Sequence, residues 1–270
     1  MPEIQINGTS IHYERHGEGE PLVMIPFLTA DHACFAFQLP AYAERFSCYT
    51  VDLRGSGATA RGDARCTMRQ FVEDVAAFVD TIGAEQAHVI GYSLGGAVAM
   101  SFAAAYPNKV RSLSLHSTWP RSDAYLRTVV GSWQAVANAL GDVCDTAISA
   151  IFPWCFTPER YVTQPEFIET VVAFVRSRPR QSVADFLEHS NAVIEHDVLD
   201  VLRNIRAPTQ ITFGSADVIT STRFAEPFAD ALPHATIEIF DGCSHAPFFE
   251  DVESFNSRTL GFLERLPSAS

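Results

Sequence analysis

The chain has 270 residues, 47% of them hydrophobic and 19% charged, enough to bury one sizeable core and too apolar for a disordered tail or linker. Its formal charge of −13, from 19 Lys+Arg against 32 Asp+Glu, repels phosphate backbones and anionic lipid headgroups, which excludes nucleic acid and membrane surfaces as expected partners. The first residues show neither a basic segment nor an apolar run, and no stretch approaches the about 20 apolar residues that span a bilayer, so the chain reads as soluble and cytoplasmic.

In chain order, Ile4 to Ile6 and Ile11 to Tyr13 read as two strands joined by the turn pair Asn7-Gly8. Strands follow at Leu22 to Ile25 and Cys48 to Asp52, and a helix over Thr67 to Ile82, where Phe71, Val75, Phe78 and Val79 share one face. The strand Ala87 to Ile90 runs into Gly91-Tyr92-Ser93-Leu94-Gly95 and then into the helical Ala97 to Phe102. G-x-S-x-G between a strand and a helix is a nucleophile elbow: the serine sits on a strained turn above the sheet, and the following helix N-terminus favours developing negative charge. Ser93 is therefore the expected nucleophile.

After the strand Val110 to Leu115 the strand pattern stops. From Ser117 to Arg206 helical segments are broken at Pro120, Pro153, Pro158, Pro165 and Pro179, the pattern of a helical cap (117–206) inserted after the sixth strand into a core formed by 1–116 and 207–270. Strand character returns at Thr209 to Phe213 and Thr236 to Phe240, and a last helix runs from Val252 to Leu266. Alternating strands and crossover helices of this kind predict an α/β fold with a mostly parallel central sheet flanked by helices.

A serine needs a histidine to take its proton and a carboxylate to hold that histidine in the right tautomer. Asp217 follows the strand Thr209 to Phe213, and His245 follows Thr236 to Phe240, both just beyond C-terminal strand ends, where open α/β sheets place their sites. Among the other histidines, His88 lies inside a strand, while His12, His16 and His234 fall in or beside surface turns and are read as solvated. His116 ends the strand before the cap, where it could line the pocket. The position after that strand, His116-Ser117-Thr118-Trp119, carries no carboxylate to compete with Asp217.

Acyl transfer also needs two backbone N–H groups aimed at the developing oxyanion. Leu94 supplies one. The other comes from the loop Pro26-Phe27-Leu28-Thr29, where Pro26 has no N–H to give, so Leu28 is the expected donor and Phe27 the second choice. No cofactor and no metal is implied: Gly91 to Gly96 has the wrong spacing for a dinucleotide loop, and no group of His, Cys or carboxylates has ligand spacing. The six cysteines, Cys34, Cys48, Cys66, Cys144, Cys155 and Cys243, include no C-x-x-C pair and read as buried free thiols.

Taken together, these residues resemble the α/β-hydrolase fold superfamily over essentially the whole chain, with Asp52-Leu53-Arg54-Gly55-Ser56-Gly57 similar to its D-x-x-G-x-G turn and Gly91 to Gly96 to its elbow. Gln38-Leu39-Pro40 and Trp154-Cys155-Phe156-Thr157-Pro158 are similar to the group of 3-oxoadipate enol-lactonases and cofactor-free haloperoxidase-like esterases, which can also lack the His-Gly more common in the oxyanion loop. The resemblance implies a serine hydrolase cleaving a small carboxylic ester or lactone. Carbon–carbon bond cleavage or peracid formation with the same triad, and ligand sensing without turnover, are the alternatives. The expected pocket is built from Phe27, Trp119, Trp133, Trp154 and His116, with Arg121, Arg127, Arg176, Arg178 and Arg180 as candidates to meet a substrate carboxylate. The oligomeric state is left open.

Overall fold

Asn7 and Gly8, both at positive φ, turn β1 (Glu3–Ile6) back antiparallel on β2 (Thr9–His16) in a computed structural model that describes residues 2–266. Next come β3 (Glu20–Ile25), β4 (Phe46–Val51), α1 (Met68–Thr81), β5 (Ala87–Tyr92), α2 (Leu94–Ala105) and β6 (Val110–His116). The strands form one eight-stranded sheet in the order β1-β2-β4-β3-β5-β6, closed on the far side by β7 (Thr209–Gly214) and β8 (Thr236–Phe240). Among the strand pairings of the described residues, β1–β2 and β2–β4 are antiparallel and the others parallel. The central strands are covered on both faces, and every residue of β5 and of β7 is buried, the polar Thr209, Gln210 and Thr212 included.

Helix ends follow local chemistry. Thr67 caps α1 by accepting from the Gln70 N–H, so the helix begins where the sequence periodicity begins. Between β6 and β7 the chain forms α3 (Ala124–Leu140), α4 (Pro165–Ser177) and α5 (Val183–Glu195), joined by shorter helical turns. Asp123 caps the start of α3, and Gly141 ends it in the left-handed conformation. Gln181 donates to the Gly55 carbonyl at 2.9 Å and His189 Nε2 to the Arg54 carbonyl at 2.8 Å, tying this inserted segment to the turn after β4. The last helices are α6 (Ala225–Ala231) and α7 (Val252–Glu264). No helix among the described residues is long and apolar enough to cross a membrane.

One histidine reading is overturned. His12 is not a solvated turn residue but 1% exposed, because β2 runs on to His16 and pairs with β4, which carries His12 into the sheet. His234 does lie exposed in a turn, and His88 is buried in β5 between Ser112 and Glu20.

Candidate active site

Parallel strands bring their C-terminal ends to one side of the sheet, and four connections meet there: the loop after β3, the elbow after β5 and the loops after β7 and β8. Ser93 sits between β5 and α2 at φ 50, ψ −113, a conformation L-residues rarely hold. It is fixed by its neighbours: the Ser93 N–H donates to the His116 carbonyl at 2.9 Å, and Thr118 Oγ1 donates to the Ser93 carbonyl at 2.9 Å. The flanking glycines are set by close approach. A Cβ on Gly91 would stand 2.2 Å from the Gly95 carbonyl oxygen, and one on Gly95 2.1 Å from the carbonyl oxygen of Ile25, so no side chain fits at either position.

Ser93 Oγ lies 3.0 Å from His245 Nε2, and His245 Nδ1 lies 2.9 Å from Asp217 Oδ2. Since the carboxylate can only accept, Nδ1 carries the proton towards it and Nε2 is left to accept from the serine hydroxyl. Asp217 is 3% exposed and accepts further hydrogen bonds from the Ile219 N–H, the Thr220 N–H and Thr220 Oγ1. Burial pushes the Asp217 carboxyl up, but His245 and these donors outweigh it and hold the group below its ordinary value.

Ser93 and His245 open into a cavity of about 110 Å³ whose lining includes residues of the helices between β6 and β7. Phe27, Leu28, Trp119 and Trp133 line it. Trp154 and His116 do not. Trp154 is half-buried beside the cavity, its turn of helix sending Cys155 and Phe156 inward instead, and its carbonyl accepts from Ser244 Oγ at 3.2 Å. His116 faces the other way, beneath the sheet end, where Nδ1 meets Thr212 Oγ1 at 2.8 Å and the ring packs edge-on to Tyr92 and Phe255. Leu94 is fully buried at the first turn of α2, and the loop of Leu28 is folded by an Ala30 N–H to Phe27 carbonyl bond beside Thr29 at φ 70. The thiols that reach the cavity, Cys34, Cys144 and Cys155, are pushed above the usual cysteine range by burial, so none offers a rival thiolate.

Three contributors were not singled out by sequence reasoning. Asp31 on the cavity wall pairs with Arg178 at 2.8 Å, tying the loop after β3 to the insertion. Glu250 accepts from the Ser244 N–H at 2.6 Å and the Thr157 N–H at 3.0 Å, linking the residue before His245 to the insertion. Thr220 steadies Asp217. Each is a polar residue whose partner lies in another segment or in a loop, and only Asp-x-x-Thr at 217–220 carries a local signal, an Asx turn.

Residues 20–252 match the model of the α/β hydrolase fold family. The chain belongs to that family. A RutD protein of Azorhizobium caulinodans, a proposed carbamate hydrolase, is 26% identical over 97% of this chain and 98% of its own length. A pimeloyl-[acyl-carrier protein] methyl ester esterase of Chromobacterium violaceum is 28% identical over 91% of this chain and 95% of its own. In fold, the enol-lactonase from Burkholderia xenovorans LB400 superposes with a TM-score of 0.86 at 21% identity, covering 98% of this chain and 100% of that one. With these relatives the chain stands among the hydrolase enzymes of the family.

Proposed function

We propose that the chain is a serine hydrolase cleaving a small, uncharged carboxylic ester or lactone through an acyl-enzyme on Ser93. The observation that carries this reading is the Ser93–His245–Asp217 chain of contacts at 3.0 and 2.9 Å, opening into one apolar cavity. Ser93 Oγ attacks the acyl carbon while His245 Nε2 takes its proton. The tetrahedral oxyanion is held by the N–H of Leu94 and that of Leu28, with Phe27 as the second choice, and the Asp217 carboxylate stabilises the imidazolium. His245 then protonates the leaving alkoxide, the carbonyl re-forms as the acyl-enzyme, and a water deprotonated by His245 repeats the sequence to release the acid. The inserted helices act as a cap over this chemistry.

A neutral acyl group is favoured by how the cavity arginines are used. Arg178 is paired with Asp31 at 2.8 Å and Arg180 with Asp142 at 3.2 Å, so a substrate carboxylate would have to displace a carboxylate already in place. Arg121 is likewise engaged, by Asp197 and Asp200. Methyl ester and enol-lactone, the bonds in two of the named relatives' descriptions, share the acyl carbon that this geometry addresses.

The test is a panel of short esters and lactones, each paired with a carboxylate-bearing analogue, assayed on wild type and Ser93→Ala. Multiple turnover on neutral members, with kcat reduced about 10³-fold or more in Ser93→Ala, is expected. Undiminished turnover in the variant, or a single stoichiometric binding event without turnover, would overturn the reading. Higher kcat/KM on the charged analogues would overturn the preference for a neutral substrate alone.

A further inference from the structure

Outside the catalytic residues, β2 carries His12 and Glu14 on one face, two residues apart, and the loop after β3 brings His32 against them. One ligand atom from each of the three lies within 4.8 Å of the others. We propose that His12, Glu14 and His32 form a binding site for a divalent transition-metal ion of the zinc class, separate from the hydrolytic centre and independent of the role assigned to Ser93.

His12 gives the first reason. It is 1% exposed, and neither Nδ1 nor Nε2 has a hydrogen-bond partner, although its ring lies 4.6 Å from that of His32. Buried polar groups are almost always paired, and an imidazole lone pair that finds no N–H donor is satisfied equally by a metal ion.

His32 gives the second. Its Nδ1 lies 2.8 Å from Asp52 Oδ1, and its Nε2 lies 3.3 Å from Arg178 Nη2. A guanidinium has only donors, so Nε2 accepts, and the proton sits on Nδ1 facing the carboxylate. That is the tautomer a metal-binding imidazole adopts, with the carboxylate behind it fixing the ring and raising its basicity. That lone pair, now turned to Arg178, lies 3.6 Å from Glu14 Oε1, leaving a short rearrangement between the present contacts and joint ligation.

Ligand type and surrounding charge set the class of ion. Two imidazoles and a carboxylate suit Zn²⁺ and its transition-metal neighbours, whereas Ca²⁺ and Mg²⁺ want oxygen ligands. His16, next along the same face of β2, holds the other Glu14 oxygen at 3.1 Å and places a further imidazole at the rim. Asp31 and Asp52 stand with His32 in a second group of close ligand atoms, carboxylates that offset the cation of Arg178. That arginine would keep Asp31 and give up His32. Sequence spacing hides the site because His32 arrives from another strand connection.

Metal-free protein, prepared with a chelator and dialysed, would be titrated with Zn²⁺ by calorimetry, and with Co²⁺ while its visible ligand-field absorption is recorded. One ion per chain with micromolar or tighter affinity, and a rise in Tm with Zn²⁺, are expected. Glu14→Gln, at a half-exposed position, should weaken binding at least about tenfold without altering the fold, and His12→Gln should do the same. Cys144→Ser should bind as wild type does, since Asp142, Cys144 and Asp145 form the remaining group of possible ligands. No binding below millimolar Zn²⁺, wild-type affinity in Glu14→Gln, or loss of the ion in Cys144→Ser would each overturn the proposal. Ester turnover is not the readout, so failure here leaves the proposed hydrolysis standing.

Discussion

Asp217 is surrounded by donors that leave it little freedom: His245, the Thr220 hydroxyl and two backbone N–H groups converge on its two oxygens. A carboxylate held this way orients the imidazole and stabilises its protonated form, and it shares one task with His245 rather than adding a second. Changing both residues to alanine should therefore cost far less than the product of the single losses in kcat/KM. Multiplicative losses would show that Asp217 does not act through His245. At this scale the sequence was most informative where one residue type has a geometric reason to be there. Gly91 and Gly95 frame Ser93 because any Cβ would strike a carbonyl oxygen, and that requirement is written locally as G-x-S-x-G. Asp31, Arg178 and Glu250 have no such signature. Arg178 lies 147 positions from the carboxylate it meets, and a surface arginine and a bridging arginine look alike in a string of letters.

Elements were legible where periodicity was strong and their neighbours simple. The strands that carry the elbow, Asp217 and His245 all form, the first two running on by two residues and one residue and the third with the bounds read from sequence. β2 was under-read because its outer half, Glu14 to His16, is polar, yet pairing with β4 holds it in the sheet. Side-chain direction within the inserted segment was not legible at all. Trp154 and Phe156 are both apolar and two residues apart, but which one faces the cavity depends on where a short turn of helix docks. The contact between elements that tolerates least change is the one beneath the elbow, where α2 begins against the end of β3. Gly95→Ala would place a methyl 2.1 Å from the Ile25 carbonyl oxygen, and backbone at that point cannot retreat without moving the strand. We expect a loss of about 3 kcal/mol, the upper end of ordinary overpacking, read as a lower urea midpoint at unchanged slope. A wild-type midpoint would mean that the strand and helix have room to part.

Across the whole molecule, several histidines are buried as neutral rings. Burial pulls His116 down to about 3 and His189 and His196 each to about 4, and it lowers His88 as well. In the unfolded chain these rings take up protons near pH 6.5, while the folded chain refuses them, so their contribution to stability is complete above about pH 7 and is lost as the pH drops towards 4. His116, His189 and His196 each remove about 1.4 kcal/mol per pH unit over that window. His32 opposes them, because Asp52 and its acidic neighbours outweigh burial and raise it, so its share of stability grows as the solution becomes acid. The lowered groups outnumber it. Denaturant titrations at about pH 7 and about pH 5 should show a clear drop at the lower value, and equal stabilities would contradict the neutral burial of these rings.

The insertion between β6 and β7 also separates Ser93 from His245 by 152 positions. At a synthesis rate of about 5–20 residues per second, the serine leads its histidine by about 8–30 s. During that interval the growing polypeptide carries the Ser93 hydroxyl and its turn without the His245 imidazole that stands beside it in the finished fold. On the proposed hydrolytic reading, an unfinished chain cannot turn over an ester until the loops after β7 and β8 have supplied Asp217 and His245.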